Sequence, residues 1–260
     1  MAKKRTPIVL SKQTTTPPLK LDKKKIKKET LKLAEEIGEL VKIMNANRKF
    51  SLLVVLQGMD SSGKDGVSRN VFSMVSPTMV HAYSFKKPTD EEFAHDFLWR
   101  AHKQAPAKGE VKVFVRSHYE DVLIQRVHNW ITKKKVDNRI RSINDWERLL
   151  QEDNDTIVMK FFLNLSKKRQ KEKLTERIEE VEKNFKHNDG DWEERKHWRK
   201  YMNAYQDVIN RSEIPWDIVP ADSRWYRNYY VAQAVLRKLK SLKETYPALK
   251  EKPQVDYING

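Results

Sequence analysis

The chain has 260 residues, of which 38% are apolar and none is cysteine, and it carries a formal charge of +16 from 52 Lys and Arg against 36 Asp and Glu. That length suits one α/β domain with an inserted lid; the lack of cysteine excludes disulfides and thiolate metal sites and fits a reducing, cytoplasmic setting. No apolar run is long enough to span a bilayer, and the positive surplus favours a polyanionic partner, whether nucleic acid, an acidic membrane face or a chain of phosphates.

Residues 1–21 open with MAKKRT, hold Thr14-Thr15-Thr16-Pro17-Pro18 and lack an apolar signal core, so they read as a flexible basic arm ahead of a single domain over 22–246. Ile26, Leu33, Ile37, Leu40, Val41 and Met44 recur at helical spacing, which predicts an amphipathic helix over 22–49. The apolar run from Leu52 to Leu56 predicts a buried strand over 52–57. It leads into Gly58-Met59-Asp60-Ser61-Ser62-Gly63-Lys64-Asp65, the glycine spacing of a phosphate-binding P-loop. In such a loop a strand delivers the chain to a turn of small side chains. The amides around Gly58, Ser61, Ser62 and Gly63 converge on phosphate oxygens, and the next helix, expected over 64–75, points its positive end at the same charge. Lys64 reaches the outer phosphates. Asp65 stands where a Ser or Thr usually binds Mg²⁺; its carboxylate and that of Asp60 are the candidate metal ligands.

A second strand is expected over 80–85, ending at Lys86-Lys87. Thr89-x-x-Glu92 is a capping box opening a helix over 90–103, and a third strand follows over 111–115. At its end Arg116 can clamp a phosphate with two parallel hydrogen bonds. Ser117-x-x-Glu120 is a further capping box opening a helix over 118–135. Glu120 either closes that box or faces a metal or an acceptor nucleotide. A short helix over 144–153 precedes a fourth strand over 156–165.

Residues 166–195 are charged and helical in pattern, broken at His187-Asn188-Asp189-Gly190. Lys173 and Arg177 are four apart and share a face able to close over phosphates, so this stretch is expected to be a basic lid. Glu172, Glu176, Glu179 and Glu180 allow the plainer reading of a surface helix of ion pairs. The helix over 191–211 is rich in Trp and Tyr interleaved with basic residues; such aromatics can stack on bases or form a subunit interface, and their helical spacing favours core. A fifth strand over 214–219, a last helix over 224–243 and a loose tail over 247–260 complete the chain.

Strands alternating with helices predict a three-layer α/β fold, with about five parallel strands and helices on both faces. Ligands bind such sheets beyond the C-terminal strand ends, where Lys64, Lys86 and Arg116 all fall.

The segments GMDSSGKDG, SFKKPTDEEFAHDFLWRAHKQAPAKGEV, FVRSHYEDVL, KFFLNLSKKRQKEKLTER and IPWDIVPADSRWYRN, in that order across about residues 25–245, resemble the polyphosphate kinase 2 family in its AMP/ADP-phosphorylating branch. The resemblance implies reversible, Mg²⁺-dependent phosphoryl transfer between inorganic polyphosphate and adenine nucleotides, with guanine nucleotides as a further option. It also implies a P-loop kinase-like domain with a helical lid. Apart from the resemblance, apolar faces on the first and last helices fit either a homo-oligomer or core packing, and the chain shows no nucleic-acid motif and no apolar run able to span a membrane. The resemblance assigns the phosphate grip to Lys64 and its loop, the metal to Asp60, and neutralisation of the transferring phosphoryl to Arg116. Glu120 matches the branch that accepts AMP as well as ADP, and Lys86, Lys173 and Arg177 match basic positions near the phosphate chain or lid. Two positions depart from the family pattern: Val115 replaces the usual Asp or Asn and cannot coordinate a metal, and Phe185 replaces a Trp. Two other readings stay open, an ATP-dependent kinase of a small metabolite and a non-catalytic polyanion-binding protein.

Overall fold

A computed structural model describes residues 6–249. A short 3₁₀ turn (Leu10–Lys12) leads to α1 (Lys23–Asn47), whose N-terminus is capped by the Asp22 carboxylate accepting from the Lys24 and Lys25 amides. β1 (Ser51–Gln57) then feeds α2 (Lys64–Val71). β2 (Val80–Ser84), two short helices, α3 (Asp90–Ala94) and α4 (Trp99–His102), and β3 (Val111–Val115) follow. α5 (Glu120–Val127) and α6 (Lys133–Asp153) lead to β4 (Thr156–Asn164). The charged stretch folds as α7 (Lys167–Glu179), α8 (Val181–Asn184) and α9 (Asp189–Lys196). Then come α10 (Trp198–Arg211), β5 (Trp216–Pro220) and α11 (Arg224–Ser241).

The five strands form one parallel sheet in the order β2-β3-β1-β4-β5. β1 lies at its centre and every one of its residues is buried, which is why it reads as an apolar run and not as an alternation. Its odd and even residues serve different cores. Leu53 and Val55 pack with Leu123, Ile143 and Val208 under α5, α6 and α10. Leu52, Val54 and Leu56 pack with Val41, Val67 and Val235 under α1, α2 and α11. The register sets Leu56 of β1 beside Val115 of β3, and Val115 beside Ser84 of β2. The P-loop, residue 86 and residue 116 therefore leave the sheet at one edge. Among the described residues, no helix is long and apolar enough to cross a membrane.

Several expected helices are broken. The one over 90–103 is interrupted at His95, which is extended, and Asp96 starts a new turn by accepting the Leu98 amide. The one over 118–135 ends at Val127; Asn129 takes a positive φ of 58°. Thr132 then caps α6 by accepting the Lys135 amide, so α6 begins eleven residues before the expected start at residue 144. A side-chain cap ends one helix and opens the next at little cost, and apolar periodicity is blind to it. The basic arm needs correction too. Residues 1–5 lie outside the described residues, but from Ile8 to Thr15 the arm is fastened to the domain. Ile8 and Asn210 exchange hydrogen bonds, Leu10 is buried, Asn164 Nδ2 donates to the Gln13 and Thr14 carbonyls, and the Thr15 hydroxyl donates to Asp222. Of the tail expected over 247–260, residues 250–260 lie outside the described residues.

Candidate functional site

The loop from residue 58 to 64 carries backbone geometry that few sequences tolerate. Gly58 has φ 148°, and a Cβ there would sit 2.8 Å from the Leu163 carbonyl oxygen. Gly63 caps α2 in the left-handed region at φ 92°, with no side chain bonded to the helix N-terminus. Ser61 and Arg116 also hold positive φ, 65° and 60°, the kind of strain that surrounding structure must hold in place. Among the described residues, the hydroxyls of Ser61 and Ser62 are buried without a hydrogen-bond partner. Buried orphan hydroxyls at the positive end of a helix suit an anion that would satisfy them.

Lys64 is buried, and its ammonium donates to the carbonyls of Gly58 (2.7 Å) and Met59 (3.3 Å). Burial pushes its pKa down, against the opposing pull of Asp60. Arg116 donates to Asp60 at 2.6 Å. Burial by itself would raise the Asp60 pKa, but Lys64 and Arg116 outweigh it and hold the carboxyl below its ordinary value. Glu120 shifts the other way: burial raises it, with Arg116 and Lys64 opposing. The expected capping box at Ser117 does not close through Glu120. The Ser117 hydroxyl accepts the Tyr119 amide and the Gln57 side-chain amide, while Glu120 lines the cleft.

Gly58, Asp60, Lys86, Arg116 and Glu120 thus line one cleft of about 680 Å³, joined there by Tyr201 and Tyr205 of α10 and Asp191 of α9. The helical stretch after β4 is latched over this cleft. Gln170 Nε2 donates to the Asp60 carbonyl at 3.1 Å, and Arg177 pairs with Asp191 at 2.5 Å. Lys173 and Arg177 diverge despite their shared face. Arg177 helps to hold the Asp60 carboxyl ionised. Lys173 sits among Arg169, Arg224 and Arg227, and burial followed by those cations pushes its pKa down to about 8. Arg169 and Arg224 border a second groove of about 770 Å³ with Lys23 and Lys27 of α1.

Asp65 does not join the site. It is exposed and lines no part of the cleft, because the first turn of α2 rotates it away from the loop. Val115 is buried among Leu56, Val67 and Val71, inside the core beneath α2. Among the described residues there is no cluster of three or more Asp, Glu, His or Cys side chains able to hold a metal. Asp60 and Glu120 remain as a pair of carboxylates in one cleft. Mg²⁺ commonly takes one or two carboxylates and completes its shell with water and substrate phosphate, so this donor set suits it.

Sequence reasoning missed Arg227. It is 2% exposed, its guanidinium lies against Gly63, and it donates to the Ser62 carbonyl at 2.7 Å across 165 residues of sequence. It also missed the buried network behind Arg116 and Glu120. Glu147 accepts from Lys160 (2.5 Å), the Tyr119 hydroxyl (2.8 Å) and His118 Nε2 (3.3 Å). The only sequence signal was Arg227 within RWYRN and Glu147 on the apolar face of α6.

A family model described as polyphosphate kinase 2 matches residues 20–247. A protein of Meiothermus ruber named AMP/ADP-polyphosphate phosphotransferase is 42% identical over 218 residues, covering 83% of this chain and 81% of that one. An ADP-polyphosphate phosphotransferase of Rhodopseudomonas palustris is 38% identical over 228 residues, covering 82% and 78%. The crystal structure of a polyphosphate kinase 2 from Arthrobacter aurescens superposes with a TM-score of 0.91 at 36% identity, covering 95% of this chain and 90% of that one.

Proposed function

The chain belongs to the polyphosphate kinase 2 family, and from that premise we propose that it transfers the terminal phosphoryl group of inorganic polyphosphate to AMP and ADP, reversibly, in the cleft between the P-loop and α9. The observation that carries this reading is the convergence of the P-loop, the Arg116–Asp60 pair and Glu120 on one cleft.

Phosphoryl transfer asks mainly for positioning and for cancellation of negative charge. The loop amides and the orphan Ser61 and Ser62 hydroxyls hold the donor phosphate. Lys64 has a short reach from the Gly58 carbonyl to a bound phosphate oxygen. The attacking oxygen of the nucleotide phosphate is already anionic, so no strong base is needed. That oxygen forms a bond to the terminal phosphorus as the bond to the bridging oxygen breaks, and the shortened polyphosphate leaves with the electron pair. Arg116 neutralises charge on the phosphoryl in flight. Asp60 and Glu120 would hold Mg²⁺, which supplies charge neutralisation and geometry to the phosphates when bound. Lys173, with Arg169 and Arg224, guides the polyphosphate chain away from the loop.

The test is incubation with AMP or ADP, Mg²⁺ and polyphosphate as the sole donor. ADP or ATP should form, and Lys64→Ala should abolish formation while leaving the melting temperature close to the parent. A parent protein that phosphorylates only with ATP as donor would refute the reading in favour of a metabolite kinase.

A further inference from the structure

The cleft that holds the P-loop residues Gly58 and Asp60 is also lined by an aromatic side chain, Trp130, that the chemistry above does not use. Trp130, in the link between α5 and α6, is 65% exposed yet firmly held. Its amide donates to the Gln125 carbonyl at 2.8 Å. One face of its indole is covered by the His128 ring, with centroids 4.9 Å apart and planes 20° from parallel. His128 is fixed in turn, its Nε2 3.0 Å from both carboxylate oxygens of Glu194 on α9, and Glu194 also accepts the Tyr201 hydroxyl at 2.6 Å. Trp130 and Glu194 both line the cleft with Arg116 and Glu120. An oriented, solvent-exposed indole beside a phosphate site is an unusual use of a large apolar surface in a single chain.

We propose that the other face of Trp130 is the stacking platform for the purine base of the acceptor nucleotide, and that α9 builds it by clamping His128 through Glu194. This rests on the phosphotransferase reading, which puts the phosphates at Arg116 in the same cleft. A nucleotide with its phosphate at Arg116 and its base on Trp130 would keep both within that one cleft. Every base has a π face, so a stacking platform tolerates guanine as well as adenine. The Glu194–His128 bond also makes the platform complete only when α9 is seated, which links base binding to cover of the reacting phosphates.

The experiment compares Trp130→Ala, Trp130→Tyr and Trp130→Phe with the parent. Loss of one base stack should raise KM for ADP and AMP by about 5- to 140-fold in Trp130→Ala. KM for polyphosphate should stay within about two-fold, and Trp130→Tyr, which retains a stacking ring, should stay near the parent. A readout that needs no turnover is tryptophan fluorescence. ADP should quench the parent and lose that component in Trp130→Phe, whereas inorganic tripolyphosphate, which has no base, should not produce it. An unchanged KM for ADP in Trp130→Ala, or an equal quench in Trp130→Phe, overturns the platform. Absence of polyphosphate-dependent turnover in the parent would refute the phosphotransferase reading instead, and the ADP titration would still decide the stacking.

Discussion

Gly63→Ala concentrates two separable penalties in one added methyl group. The residue sits at φ 92°, ψ 34°, so any L side chain there meets the left-handed cost of about 1–2 kcal/mol. The new Cβ would also fall 2.0 Å from Arg227 Nη1 and 2.6 Å from its Cζ. The guanidinium has little room to retreat, being 2% exposed, and moving it breaks its 2.7 Å bond to the Ser62 carbonyl. A hydrogen bond to a charged group contributes about 1.5–3 kcal/mol. Together the penalties reach about 3–5 kcal/mol, or a fall in melting temperature of roughly 6–20 °C for a chain of this size. Displaced loop amides should also cut kcat by about 100-fold or more, since misplacement by an ångström can cost that much. Gly66→Ala is the internal control. Its Cβ would come no nearer than 3.0 Å to Arg227 Nη2, and inside α2 alanine gains up to about 1 kcal/mol in helix propensity. Thermal melts and polyphosphate-dependent ATP formation should therefore separate the two variants sharply. Parent-like melting and turnover in Gly63→Ala would refute the reasoning.

Further outcomes follow from the same geometry. Lys173, pushed down to about 8 by burial and by Arg169 and Arg224, should lose its proton as pH rises through that value; KM for polyphosphate should rise between pH 7 and pH 9, and Lys173→Arg should flatten the rise, whereas an identical rise in that variant excludes Lys173 as its source. Glu147→Gln removes the carboxylate charge that Glu147 sets against the buried Lys160 and should cost about 3–5 kcal/mol by denaturant unfolding; a loss below about 1 kcal/mol would mean that the charge pair contributes little net stability. Burial keeps His118 neutral by lowering its pKa from 6.5, so protons favour the unfolded chain as pH falls below that value. Burial also disfavours the Glu147 carboxylate, but Lys160 and His118 more than offset this and depress its pKa from 4.5; that stability is present above pH 4.5 and is lost as pH falls through the folded-state value. Melting temperature should accordingly drop in two stages on acidification, and a flat profile from pH 6.5 to 4.5 would argue against the buried neutral imidazole. Val115→Asn should raise turnover when Mg²⁺ is limiting while lowering the melting temperature, because it sets an amide in an apolar core; unchanged turnover means the position has no part in metal binding.

Much of this protein was legible in one dimension. All five strands stand within a few residues of their expected spans, and strand–helix alternation with both-face burial led to the parallel sheet. The loop glycines and the strand-tip cations were legible for a related reason: the parallel sheet carries all such tips to one edge, so Asp60, Lys86, Arg116 and Glu120 meet once the topology is known. Helix breaks were less legible, since Thr132 and Asp96 act through single side-chain caps that periodicity does not sense.

What the amino-acid order determined by itself is what short-range physics controls: periodic burial, glycine-dependent turns and the charge excess. Which partners those residues find was decided only by tertiary packing. Asp65 and Lys64 are neighbours in the chain, yet one turn of α2 leaves the carboxylate in solvent and the ammonium buried. Arg227 against Gly63, Glu194 on His128 and Glu147 under His118 join positions far apart in the chain. Each pairing depends on the whole sheet and its helices being in register, a condition that no local stretch of sequence encodes.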